Sequence, residues 1–119
     1  MKTALRLLFV LLLSLPCYGA DLYIDLRTNY VPPADFSRVR VELIDQADAR
    51  QQWVKYSGAY GGSYVDGVRV AEFSHVQTGH SYLLVVKVLD DHMRTVDGRL
   101  VILDMSSPAY AATVLMTRR

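Results

Sequence analysis

Residues 21–119 are predicted to form an all-β domain, a seven-stranded antiparallel β-sandwich. Three observations predict it. Apolar and polar residues alternate with a period of two in one segment after another, as in strands with one buried face. No 3.6-residue period persists, and only residues 33–37 suit a single helical turn. Turn-forming clusters punctuate the segments at short spacing, the rhythm of a sandwich.

Each element follows from its own residues. Leu22, Ile24 and Leu26 share one face of a first strand, with Tyr23, Asp25 and Arg27 opposite. Pro32 and Pro33 stop it, because proline cannot donate to a ladder. Val39, Val41 and Leu43 alternate with Arg38, Arg40 and Glu42 in a second strand, and residues 45–50 are polar and turn-like. A third strand runs through Trp53, Val54, Lys55 and Tyr56, followed by a glycine- and serine-rich loop over residues 57–67. Val68 to Phe73 begin the fourth. In the fifth, Tyr82, Leu84, Val86 and Val88 lie opposite Leu83, Val85, Lys87 and Leu89. Apolar residues on both faces mark that strand as central. Asp90 and Asp91 turn the chain into a sixth strand over residues 95–103, which Asp97-Gly98 could interrupt, and residues 110–117 make the seventh.

The first twenty residues are of another kind. Lys2 and Arg6 precede the wholly apolar run Leu7 to Leu13, then come Pro16 and the small residues Cys17, Gly19 and Ala20. That is the layout of a cleaved secretory signal peptide, with cleavage expected after Gly19 or Ala20. The apolar run is too short for a membrane span, which needs about 20 residues. Cys17 offers a lipoprotein anchor as the alternative, although Pro16 stands where a lipobox takes a small residue. The reading is an exported protein, periplasmic or secreted, with one domain over residues 21–119.

Charge and cysteine content narrow the classes. Losing residues 1–20 removes Lys2 and Arg6 from the 13 basic residues and nothing from the 12 acidic ones, leaving 11 against 12, a net charge of −1. Such balance gives no electrostatic pull toward nucleic acid or an anionic membrane. The chain's one cysteine, Cys17, leaves with the signal, so no disulfide staples the domain. Its stability has to come from an ordinary core.

The stretch from Val68 to Val86 has a distinctive cadence. A strand ends, Val76 and Gly79 form a corner, and Tyr82 opens an alternating strand. This resembles the corner of immunoglobulin-like, fibronectin type III-like and transthyretin-like (carboxypeptidase-regulatory) sandwiches, and the chain as a whole resembles small exported bacterial proteins of unassigned function. The resemblance implies that the Tyr82 hydroxyl bonds nearby backbone at a corner turned by Gly79. It implies a fold and no activity.

Catalytic chemistry finds little support. There is no G-x-S-x-G, and Ser57, Ser63, Ser74, Ser81, Ser106 and Ser107 lie in turns or at strand ends. Asp90 and Asp91 are adjacent and read as hairpin residues rather than a glycosidase pair. His75, His80 and His92, with Met93, offer imidazole and thioether ligands that suit copper, but no H-x-H spacing occurs. No enzyme, metal site or cofactor is therefore expected.

The remaining candidate is a binding region. Tyr56, Tyr60 and Tyr64 fall at four-residue intervals among Gly58, Gly61, Gly62 and Ser63, with Trp53 just upstream. Rigid amphipathic rings among adaptable small residues are the mixture that binding loops use. The expected function is a non-catalytic binding or assembly module of the bacterial envelope or extracellular space. Its partner would be protein or carbohydrate, held by Trp53, Tyr56, Tyr60 and Tyr64. The alternative is a small exported metal-binding protein using the histidines and Met93. Thr117, Arg118 and Arg119 are read as charge that blunts an edge strand.

Overall fold

In a strand, successive side chains leave opposite faces, so each run of alternating residues yields one apolar face that must be covered. The computed structural model, which describes residues 19–59, 61–106 and 109–118, covers them with two facing sheets. The strands are β1 (Ala20–Thr28), β2 (Arg38–Asp45), β3 (Gln52–Gly58), β4 (Val68–Val76), β5 (Ser81–Leu89), β6 (Thr95–Asp104) and β7 (Ala109–Met116). One sheet has the order β4-β1-β7 and the other β3-β2-β5-β6. No helix among the described residues is long and apolar enough to cross a membrane. Residues 1–18 of the expected signal segment, Cys17 among them, and Tyr60 lie outside the described residues, whereas Ala20, expected at the end of that segment, begins β1 and is buried.

The inner faces meet in a single core. Leu22, Ile24 and Leu26 of β1 face Val39, Val41 and Leu43 of β2 and Tyr82, Leu84, Val86 and Val88 of β5, all fully buried. Ala112, Val114 and Met116 complete the layer from β7. The fifth strand is central to its sheet, paired with β2 on one side and β6 on the other.

Three details depart from the expectation. The four-stranded sheet is antiparallel throughout, but β1 pairs with β7 in parallel, from Asp21 opposite Ala109 to Thr28 opposite Met116, so the three-stranded sheet is mixed. Parallel pairing of the first and last strands leaves no local trace, because its partners are as far apart in the chain as strands can be. β4 runs on to Val76, carried past Phe73 by register shifts against β1. Each shift adds a residue and flips the facing of the residues beyond it, so Val70, Ala71 and Phe73 are all buried without strict alternation. β6 runs unbroken through Asp97-Gly98, absorbing its extra residue in a shift beside Leu89.

Polar contacts close the ends. At one end the Tyr30 hydroxyl donates to Asp97 (3.0 Å), which also accepts from Arg99 (3.0 Å). Arg118 stacks over the Tyr30 ring, pairs with Asp35, and donates its backbone N–H to Asn29 Oδ1 (2.7 Å). Arg118 thus ties the end of the last strand to the β1–β2 loop rather than standing guard on an edge.

With no disulfide to share the load, burial in the core is the main source of stability. Ile24→Ala, at a fully buried position in the middle strand of its sheet, is expected to cost about 2–5 kcal/mol, read from the urea midpoint.

Candidate functional site

Strand parity separates the aromatic residues that the sequence groups together. Trp53 and Tyr56 lie an odd number of residues apart in β3, so they leave opposite faces. Trp53 turns inward and packs on the core, its ring 6.3 Å from that of Tyr82. Tyr56 turns outward, 53% exposed, with its hydroxyl accepting from Arg40 Nε (3.1 Å). Tyr64 is 6% exposed and meets Phe36 edge-on, the ring centroids 5.3 Å apart. Its carbonyl accepts from the N–H groups of Thr28 and Gly67, which folds the loop onto the sandwich end. Burial raises the Tyr64 phenol above its ordinary pKa. Of the described members of this set, Tyr56 alone presents its ring to solvent.

Two shallow clefts flank Tyr56 and the glycine-rich loop. One, of about 480 Å³, lies between Tyr56, Arg38 and Asp91; the other, of about 380 Å³, runs along Gly61, Gly62 and Ser63. Both are open, and neither gathers convergent charge among its described lining residues.

The corner is built from Gly79 and Tyr82. Gly79 sits at φ +81°, in the left-handed region that favours glycine, and donates to the Met105 carbonyl (2.6 Å). The fully buried Tyr82 returns its hydroxyl to Gln77, accepting from the N–H and donating to the C=O, each at 3.1 Å. Burial is the first cause that raises the Tyr82 phenol, and the nearby Asp45 charge adds to it. Beside this corner Asp45, almost wholly buried, accepts from His80 Nδ1 (2.8 Å) and from the Ala47 N–H (2.9 Å). Burial pushes the Asp45 carboxyl up, but hydrogen bonds from His80, Ala47 and Asp48 outweigh it and hold the pKa below the ordinary value.

The histidines have separate duties. His80 is committed to Asp45, His75 sits exposed in β4 at φ 61°, and His92 belongs to the exposed turn at the far end of β5. Among the described residues no group of three or more His, Cys, Asp or Glu gathers as a metal would need. Nor does a described serine hydroxyl meet a histidine; Ser81 donates to Asp104 (2.5 Å). Asp90 is a turn residue, accepting from the N–H groups of His92 and Arg94 and from Arg94 Nε. Those bonds, led by the Arg94 N–H, lower its pKa.

A different surface stands out once registers are known. On the outer face of the four-stranded sheet, Gln52, Ile44, Leu83 and Ile102 form one cross-strand row, and Val54, Glu42, Val85 and Leu100 the next. Leu100 and Ile102 are each 60% exposed, and Val54 is also exposed. A third row, Tyr56, Arg40, Lys87 and Gly98, borders the aliphatic side chains with positive charge. The outer face of the other sheet is unlike it: Arg69 spans Asp25 and Glu72 and covers the Tyr23 ring. The sequence signal was available in Leu83, Val85, Leu100 and Ile102, but apolar residues on both faces of a strand look the same whether a second layer or a partner covers them.

Compared with known proteins, the chain matches no protein-family model, no curated protein and no solved structure.

Two measurements probe the corner. Tyr82→Phe leaves both Gln77 backbone groups unpaired and is expected to cost about 1–3 kcal/mol by denaturant titration; an unchanged midpoint would remove the hydroxyl's structural role. Because the Asp45 pKa is lowered in the folded state, its contribution is full above the unfolded value of about 3.9 and is lost as pH falls through the folded one. The stability gap between the parent and Asp45→Asn is therefore expected to stay constant above about pH 5 and to shrink as pH falls below about 3.9.

Proposed function

We propose that this chain is an exported, non-catalytic binding or assembly module, and that its partner is a protein. The single observation that carries the reading is the aliphatic outer face of the β3-β2-β5-β6 sheet. Monomeric proteins seldom leave large contiguous apolar patches exposed, and large ones mark association surfaces. The arrangement favours protein over carbohydrate. A sugar laid on Leu83, Val85, Leu100 and Ile102 would lose water from its hydroxyls and gain few hydrogen bonds in return, since Glu42, the charged residue within these rows, is already paired with Arg40. An apolar protein surface with an acidic group at its rim fits, since Lys87 lines one border of the patch, where Arg40 is already paired with Glu42 (3.1 Å).

The strand order also supports the transthyretin-like form of sandwich over the immunoglobulin-like one. In the constant-type immunoglobulin sandwich the first two strands share a sheet, whereas β1 and β2 lie in opposite sheets here. With Tyr64 and Trp53 turned inward, Tyr56 joins the proposed surface at its margin and the glycine-rich loop is not its centre.

The test places a photo-crosslinking residue at Ile102 in the intact chain within the producing cells. A discrete adduct with one exported protein is expected, and it should disappear when Leu100→Lys is added. Leu100→Lys itself should leave the urea midpoint within about 0.5 kcal/mol of the parent, as for an exposed position. No adduct, or one that survives Leu100→Lys, would overturn the reading.

A further inference from the structure

We infer that the aliphatic face of the β3-β2-β5-β6 sheet receives an amphipathic α-helix of its protein partner, laid along β5 and heading the same way as that strand. The inference rests on the proposed function and names the shape, charge and direction of the partner's contact segment. Two adjacent strands supply most of the face. Leu83 and Val85 of β5 stand beside Ile102 and Leu100 of β6, a stripe two strands wide. Strands lie about 4.8 Å apart, so the stripe is roughly 10 Å across, about the width of a helix.

Backbone chemistry narrows the occupant. Ladder hydrogen bonds run between strands within the sheet, so its face offers none to a segment laid on top. An extended segment there would bring its own N–H and C=O groups against aliphatic side chains and leave them unpaired. A helix satisfies its backbone internally and presents a row of side chains instead. A second sheet would also be self-satisfied, but it has only a small net dipole, and the two ends of this stripe differ in charge.

Beyond Leu83 and Ile102 the next row holds Ser81 and the exposed Asp104. Beyond Val85 and Leu100 it holds Lys87, whose stem lies close to Gly98 and whose ammonium has no partner among the described residues. Arg38, diagonal to Lys87 at roughly 7–8 Å, is likewise without a partner among them. Asp91 lies past Leu89, on the side away from the stripe. The stripe therefore runs from a negative end to a positive one. A helix carries partial positive charge at its N-terminus and negative charge at its C-terminus. It fits with its N-terminus by Asp104 and its C-terminus by Lys87, which is the direction of β5 from Ser81 to Leu89. An acidic side chain flanking its apolar row near that end meets Lys87.

Photo-crosslinking from two positions reads this geometry. The crosslinking residue replaces Ile102 in one variant of the full chain and Leu100 in another, in the producing cells, and the attached partner peptide is sequenced by mass spectrometry. The two positions lie about 6.8 Å apart along β6, a distance that a helix rising 1.5 Å per residue covers in about four to five residues. The residue captured from Leu100 should lie about that far C-terminal to the one captured from Ile102. The segment should carry apolar residues at helical spacing with an acidic residue beside them. Arg38→Glu with Lys87→Glu should lower the adduct about tenfold, because like charges then meet, with the urea midpoint close to the parent's. Arg38→Lys with Lys87→Arg should keep it. Captured residues about two apart, as in a strand, or in the reverse order, would overturn the inference and leave the protein-binding reading standing. An undiminished adduct in the double Glu variant would do the same. No adduct from either position would overturn both.

Discussion

The pairing of β1 with β7 is the constraint on which the rest of the sandwich depends. β1 is the middle strand of its sheet, with β4 on one side and β7 on the other, and its Leu22, Ile24 and Leu26 lie at the centre of the core. Without β7, Ala112, Val114 and Met116 would be missing from the inner layer and β1 would become an edge. No disulfide supplements this closure, so the free energy of burying the two inner faces has to offset the ordering of the whole chain. The end network of Tyr30, Asp97, Arg99 and Arg118 and the corner of Tyr82 and Gln77 satisfy the polar groups that this burial would otherwise strand.

Much of this was legible in the residues, for a physical reason. Alternation reports directly on which side chains must leave water, so the strands and the inward residues of β1, β2 and β5 could be read one by one. What failed to be legible was pairwise. Which strands become neighbours, and in which direction, depends on contacts between distant segments. The β4 bulges and the parallel β1–β7 ladder accordingly appear only in the fold. The aromatic residues of the expected binding region show the same division. Regular spacing of Tyr56, Tyr60 and Tyr64 suggested one surface, yet parity within β3 already set Trp53 against Tyr56, and the tight return of the loop drew Tyr64 under Phe36.

The two outer faces show how one fold can carry two kinds of surface. Arg69 with Asp25 and Glu72 makes the three-stranded sheet self-satisfied toward water, while Leu83, Val85, Leu100 and Ile102 make the other sheet unsatisfied in the same sense. Both faces lie outside the core, so neither is required by the packing that defines the sandwich. Their difference is a choice of sequence that the fold tolerates.

Joining the first strand to the last also has a kinetic meaning. Every contact in that ladder closes nearly the full length of the domain, and such non-local pairing is slow to form because loop closure precedes any gain in burial. The three-stranded sheet cannot be completed until the chain's final segment is present. A polypeptide delivered from its N-terminus onward therefore remains without a finished core through most of its delivery. Under the proposed export, late closure keeps the chain threadable to the end.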